Sequence, residues 1–83
     1  MTKLWVEGCP IKVRTGPGGL PVQVAWQGRW ERIEGIGPRW RIADEWWRRP
    51  IHRDYFRVMT RSLIGEIYQD RLTKAWYLER IYD

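Results

Sequence analysis

Apolar and polar residues in this chain alternate mostly with a period of two, and glycine, proline and short polar clusters divide the alternation into short runs. Val22-Gln23-Val24-Ala25-Trp26 is the pattern of a half-buried strand, with only the small Ala25 out of phase. Gln27-Gly28 follows as a tight turn, and residues 29–36 return as a second strand. A two-residue loop puts Ile33 on the face of Val22 and Val24. A three-residue loop would put Trp30 and Arg32 there instead, and the two-residue loop is preferred. Upstream, residues 3–7 and 11–14 are predicted as short extended pieces broken by Gly8-Cys9-Pro10, and residues 15–21 as a Gly/Pro loop.

Gly37-Pro38 is expected to end the second strand of that hairpin, with Arg39-Trp40-Arg41-Ile42 extended beyond it. Residues 43–49 are predicted as a single helical turn, with Asp44 and Glu45 at its positive end and Pro50 as its stop. Three strands then close the chain, over residues 55–60, 63–68 and 75–82. The polar cluster Asp70-Arg71-Leu72-Thr73 separates the last two. Links this short imply antiparallel neighbours, so residues 54–82 should form a meander. The last strand carries large groups on both faces, Trp76, Leu78 and Tyr82 against Tyr77 and Ile81, which marks it as central or covered. The predicted fold is therefore mainly β, with five to six short antiparallel strands in a curled sheet or small half-open barrel and at most one short helical turn. A single domain over 1–83 is expected, with 1–20 an extended segment and loop ahead of a β core at 21–83.

Composition sharpens this picture. Eighty-three residues bury a small core, and the single Cys9 excludes an internal disulfide. Seven tryptophans and four tyrosines supply the missing buried area. Trp26, Trp46 and Trp76 are expected to be buried. A lone thiol, no apolar run of membrane-spanning length and no apolar leader at the N-terminus predict a soluble, cytoplasmic protein without membrane contact.

The net charge is +5, carried by arginine far more than by lysine. Arginine suits carboxylate and phosphate partners, although a coding or temperature bias explains the excess equally well. The charge is concentrated. Between Arg39 and Arg61 lie seven arginines against Asp44, Glu45 and Asp54, so this segment holds four of the five net positive charges. Trp40, Trp46, Trp47, Tyr55 and Phe56 are interleaved with them. Basic groups follow a phosphate backbone and aromatic faces accept unstacked bases, so Arg39, Arg41, Arg48, Arg49, Arg53, Arg57, Trp40 and Trp47 are the candidate nucleic-acid-binding residues, with single strands favoured. The structural alternative carries more weight: Trp46 and Trp47 plug one end of the barrel while Arg48 and Arg49 solvate its rim. Arg39, Arg48 and Arg49 are expected to be exposed.

Candidate chemistry is thin. His52 is the only histidine and lies in an expected loop among Arg49, Arg53 and Asp54. Ser62 is ordinary turn chemistry, and Cys9 has no basic partner nearby in sequence. Cys9, His52 and Asp54 show no zinc-ligand spacing, and Gly16-Pro17-Gly18-Gly19 lacks the Lys-Ser/Thr of a phosphate-binding loop. No catalytic residue, metal or cofactor is expected, and the chain is expected not to be an enzyme.

The order of residues resembles a known family. Pro21-Val22-x-Val24-x-Trp26-x-Gly28-Arg29 is followed by Arg41-Ile42-Ala43-x-Glu45-Trp46-Trp47 and Arg53-Asp54-Tyr55-Phe56-Arg57-Val58. Tyr68-x-Asp70 and Trp76-Tyr77-Leu78-x-x-x-Tyr82-Asp83 complete the pattern. It is similar to the C-terminal domain of ImuB-type proteins, the Y-family polymerase relatives of bacterial mutagenic repair, carried here on what is expected to be a small stand-alone protein. The resemblance covers residues 21–83, and nothing in the chain matches a polymerase palm or a sliding-clamp motif. It implies a non-catalytic interaction module of DNA repair or translesion synthesis, binding a repair or replication protein, DNA, or both. A stand-alone nucleic-acid-binding domain using the Arg/aromatic surface is the alternative.

Overall fold

The computed structural model describes residues 3–46 and 49–82, and the alternating runs of the sequence form antiparallel strands there. In chain order these are β1 (Lys3–Ile11), β2 (Val13–Thr15), β3 (Pro21–Trp26), β4 (Arg29–Arg32), β5 (Gly35–Trp46), β6 (Arg49–Met59), β7 (Ile64–Asp70) and β8 (Trp76–Tyr82). The fold is mainly β, as the alternation predicts. The described strands number eight rather than five or six, and they divide into two sheets that do not close into a barrel. The larger sheet has the order β1-β8-β7-β6-β5, and the smaller has β2-β3-β4. No helix among the described residues is long and apolar enough to cross a membrane.

The meander of β6, β7 and β8 forms as expected, and β8 lies inside the sheet between β7 and β1. Its two apolar faces follow from that position. The β3–β4 hairpin closes through two residues, Gln27 and Gly28, at φ 50° and 81°. Paired positive φ values match the right-handed twist of the flanking strands. Ile33 donates its N–H to the Val22 carbonyl, which places it on the face of Val22 and Val24.

Three expectations fail in the middle of the chain. Gly37-Pro38 does not end a strand; β5 runs through it with a register shift between Ile36 and Arg39. Residues 43–46 are not helical but continue β5, paired with 49–52 of β6, and Pro50 lies within β6 opposite Glu45. The short helical turn sits instead at Pro17–Gly19. Acids ahead of a Trp-Trp pair resemble a first helical turn locally, but ten cross-strand partners from Gly35 to Trp46 outweigh that local preference.

The core lies between the sheets. Phe56, Val58, Ile67, Trp76 and Leu78 bury the inner face of the large sheet, and Trp5, Cys9, Ile11, Val13, Trp26, Ile33 and Ile81 pack against it. Trp76 is buried as expected, whereas Trp26 is only half-buried. Trp26 meets Trp5 edge to face at 6.3 Å, joining the small sheet to β1. The side chain of Trp46 lies outside the described residues. A second link is polar. Glu31 of β4 accepts hydrogen bonds from Thr60 Oγ1 at 2.6 Å and Ser62 Oγ at 2.5 Å, both in the β6–β7 turn.

Candidate functional site

Cross-strand partners share a face of a sheet. That rule sorts the candidate residues into two groups. Arg39 pairs with Phe56 and Arg41 with Asp54, so both arginines stand on the inner face of the large sheet, with their side chains about half-exposed. Trp40 pairs with Tyr55, and Arg57 with Glu66, on the outer face, where Arg53 also lies. The two faces are separated by the thickness of the sheet. Arg48 and Trp47 lie outside the described residues. Arg49 is placed by its backbone opposite Trp46, and its side chain is likewise outside the description.

On the inner face, Asp54 gathers three arginines. Arg41 donates from Nε to Asp54 Oδ1 at 2.6 Å and from Nη2 to Oδ2 at 3.4 Å. Arg39 Nη2 lies 3.6 Å from the same carboxylate, and Arg71 Nε 3.9 Å. Asp54 is only 7% exposed, while the arginine side chains remain 39–51% exposed. Burial alone would raise the Asp54 pKa, but Arg41, Arg39 and Arg71 together outweigh it and hold the carboxyl below its ordinary value. Three cations around one anion leave two positive charges in excess, and the partly exposed guanidiniums keep donors that Asp54 does not use.

Arg71 is the member that sequence analysis missed. It sits in the β7–β8 turn, where Asp70 Oδ1 accepts the Leu72 N–H at 2.8 Å and the Thr73 N–H at 3.3 Å. The Arg71 N–H donates to the His52 carbonyl at 2.8 Å, which docks the turn beside β6. The sequence marks a polar turn there, but only the β6–β7 register brings it to Asp54.

The outer face is chemically different. Trp40, Tyr55, Tyr68 and Tyr77 form a ladder across β5, β6, β7 and β8, with successive ring centroids 5.2, 5.1 and 5.1 Å apart. Tyr55 and Tyr68 are buried within it. The Arg53 guanidinium lies over the Tyr68 ring at 4.4 Å and donates to the Tyr55 hydroxyl at 3.1 Å, which itself donates to Glu79 at 2.8 Å. Burial pushes the Tyr55 phenol up to about 12; the Glu79 contact adds to the rise and Arg53 opposes it. Arg57 donates to Glu66 at 3.2 Å, and Glu66 also accepts from Tyr82. Arg53 and Arg57 are thus matched by carboxylates, and the two central rings offer little open face to a base.

The residues considered for catalysis stay apart. His52 pairs with Ala43 in mid-hairpin, Cys9 packs on the core from β1, and Ser62 is bound to Glu31. Among the described residues no group of three or more histidine, cysteine or carboxylate side chains gathers as a metal set. Comparison with known proteins finds no matching family model, no matching curated protein and no matching solved structure.

Proposed function

We propose that this chain is a non-catalytic interaction module of a cytoplasmic DNA-repair or translesion-synthesis assembly, and that it touches DNA through phosphates at Arg39, Arg41 and Arg71. The repair setting rests on the sequence resemblance to ImuB-type C-terminal domains. The contact chemistry rests on one observation: three half-exposed guanidiniums are collected and oriented by a single buried carboxylate. A phosphate arriving there replaces solvent around donors already held in place, so little side-chain entropy is lost on binding. The aromatic ladder lies on the other face, so the contact follows the backbone of the nucleic acid rather than its bases, and single and double strands bind alike apart from charge density.

Anisotropy of a labelled oligonucleotide, measured across a salt series, tests this. Affinity should fall with salt on a log–log slope of about −2 to −3, the value for two or three phosphate contacts. Arg39→Ala and Arg71→Ala should each reduce that slope by about one, whereas Arg53→Ala and Arg57→Ala on the outer face should leave it unchanged. Absence of binding at low salt would remove the DNA contact. A pull-down from the native source that returned no repair or replication protein would remove the assembly.

A further inference from the structure

The large sheet ends on β5, which pairs with β6 and with no other described strand. An unpaired edge is a template for another chain, and it is usually short, bulged or blocked by proline. Here the defence is confined to the start of the strand, where Pro38 and the register shift interrupt pairing. From Arg39 to Glu45 the register is regular, and Arg39, Arg41, Ile42 and Ala43 are exposed. Ile42 is 38% exposed, on the outer face opposite Arg53.

The order of charges along this stretch is directional. Arg39 and Arg41 stand at one end, Asp44 and Glu45 at the other, with Ile42 and Ala43 between. We propose that β5 is a self-complementary edge, through which a second copy of the chain pairs antiparallel about a two-fold axis at Ile42. In that register position 39 of each copy lies opposite position 45 of the other, 41 lies opposite 43, and Ile42 meets Ile42. Arginine therefore faces glutamate twice, Arg41 faces a small alanine, and an exposed apolar residue is covered at the axis. Opposite charges directly across antiparallel strands stabilise, and like charges destabilise. The register centred two residues away from Ala43, on Arg41, is disfavoured because it sets Arg41 against itself. The one centred on Ala43 relies on Arg41, which Asp54 already holds by two contacts, whereas Arg39 lies farther from that carboxylate. A two-fold contact of this kind closes on itself and forms a dimer rather than a fibre.

The inference does not depend on DNA binding, although it bears on it. The two-fold keeps both inner faces on one side of a continuous sheet, so the arginine groups of the two copies adjoin across the axis. Sedimentation equilibrium without nucleic acid tests the dimer separately. The wild-type chain should show a concentration-dependent monomer–dimer equilibrium. Arg39→Glu and Glu45→Arg should each weaken it by about tenfold or more, and the double exchange should restore it. Thermal melts establish that each variant is folded. In a Cys9→Ser background, Ile42→Cys should oxidise to a disulfide dimer, and Leu4→Cys, exposed on β1 at the opposite edge of the large sheet, should not. A chain that stays monomeric at every concentration, a folded double exchange that fails to restore the dimer, or equal cross-linking at position 4 would each overturn the proposal.

Discussion

Two buried groups show how single residues carry this structure, and both are testable by pH. The Asp54 carboxyl is held below its ordinary pKa by Arg41, Arg39 and Arg71 against the opposing effect of burial. Its ionised form therefore stabilises the fold at pH values above the ordinary aspartate value, and that contribution disappears as pH falls through the lower folded value. Asp54→Asn keeps the size but leaves three guanidiniums facing one another, so it should lower the melting temperature at neutral pH and flatten the acid limb of the stability profile. Equal acid sensitivity in the variant would show that other carboxylates control that limb. Tyr55 behaves oppositely. Its phenol is raised to about 12, so the neutral form stabilises the fold fully below pH 10, and the contribution is lost as pH climbs from 10 towards 12. Tyr55→Phe removes the hydroxyl that links Arg53 to Glu79. A cost of about 1–2 kcal/mol in denaturant melts is expected, because Glu79 loses a donor in a partly buried setting.

At the scale of elements, regular alternation was legible and irregular strands were not. Val22–Trp26, the Gln27-Gly28 turn and the closing meander follow from period-two patterning and turn residues, which act locally. The continuity of β5 and the first half of β6 were hidden because Pro38 and Pro50 punctuate them, although both prolines lie in strands whose partners fix them from a distance. β1 is similar. Residues 5–8 stand opposite Glu79 alone, so Gly8-Cys9-Pro10 bends one strand instead of separating two. Gly8 makes that bend possible. Its φ is +80°, and a Cβ there would meet the Tyr68 hydroxyl at 2.7 Å and Tyr77 Cβ at 2.9 Å. Gly8→Ala therefore combines left-handed strain with overpacking, and a loss of roughly 2–4 kcal/mol is expected in chemical denaturation. A loss below about 1 kcal/mol would mean that β1 can slide along β8 to relieve the contact.

At the scale of the whole molecule, the candidate surface was only partly legible. Arg39 and Arg41 could be picked out by local charge density, but Arg53 and Arg57 share that density and stand on the other face, opposed by Glu79 of β8 and Glu66 of the neighbouring β7. Which face an arginine occupies is decided by strand parity and register, and the proline-bearing β5 concealed both. The same long-range order governs how the small sheet is held. Beside apolar packing by Val13, Trp26 and Ile33, a polar side-chain tie to the large sheet is made by Glu31, bound by Thr60 and Ser62. Hydrogen bonds from Ser62 and Thr60 hold the Glu31 carboxyl below its ordinary pKa of 4.5. The tie therefore contributes above that value and is released as pH falls through the folded one. Glu31→Ala removes it while leaving every residue of the core cluster in place. Amide exchange should then accelerate in β2, β3 and β4 and stay slow in β6, β7 and β8, because local opening follows the contacts that a segment has to break. Wild-type protein at acid pH should show the same selective opening before global unfolding. Uniform acceleration across both sheets in Glu31→Ala would mean instead that they open as one cooperative unit, held by the Trp5–Trp26 contact and the apolar core.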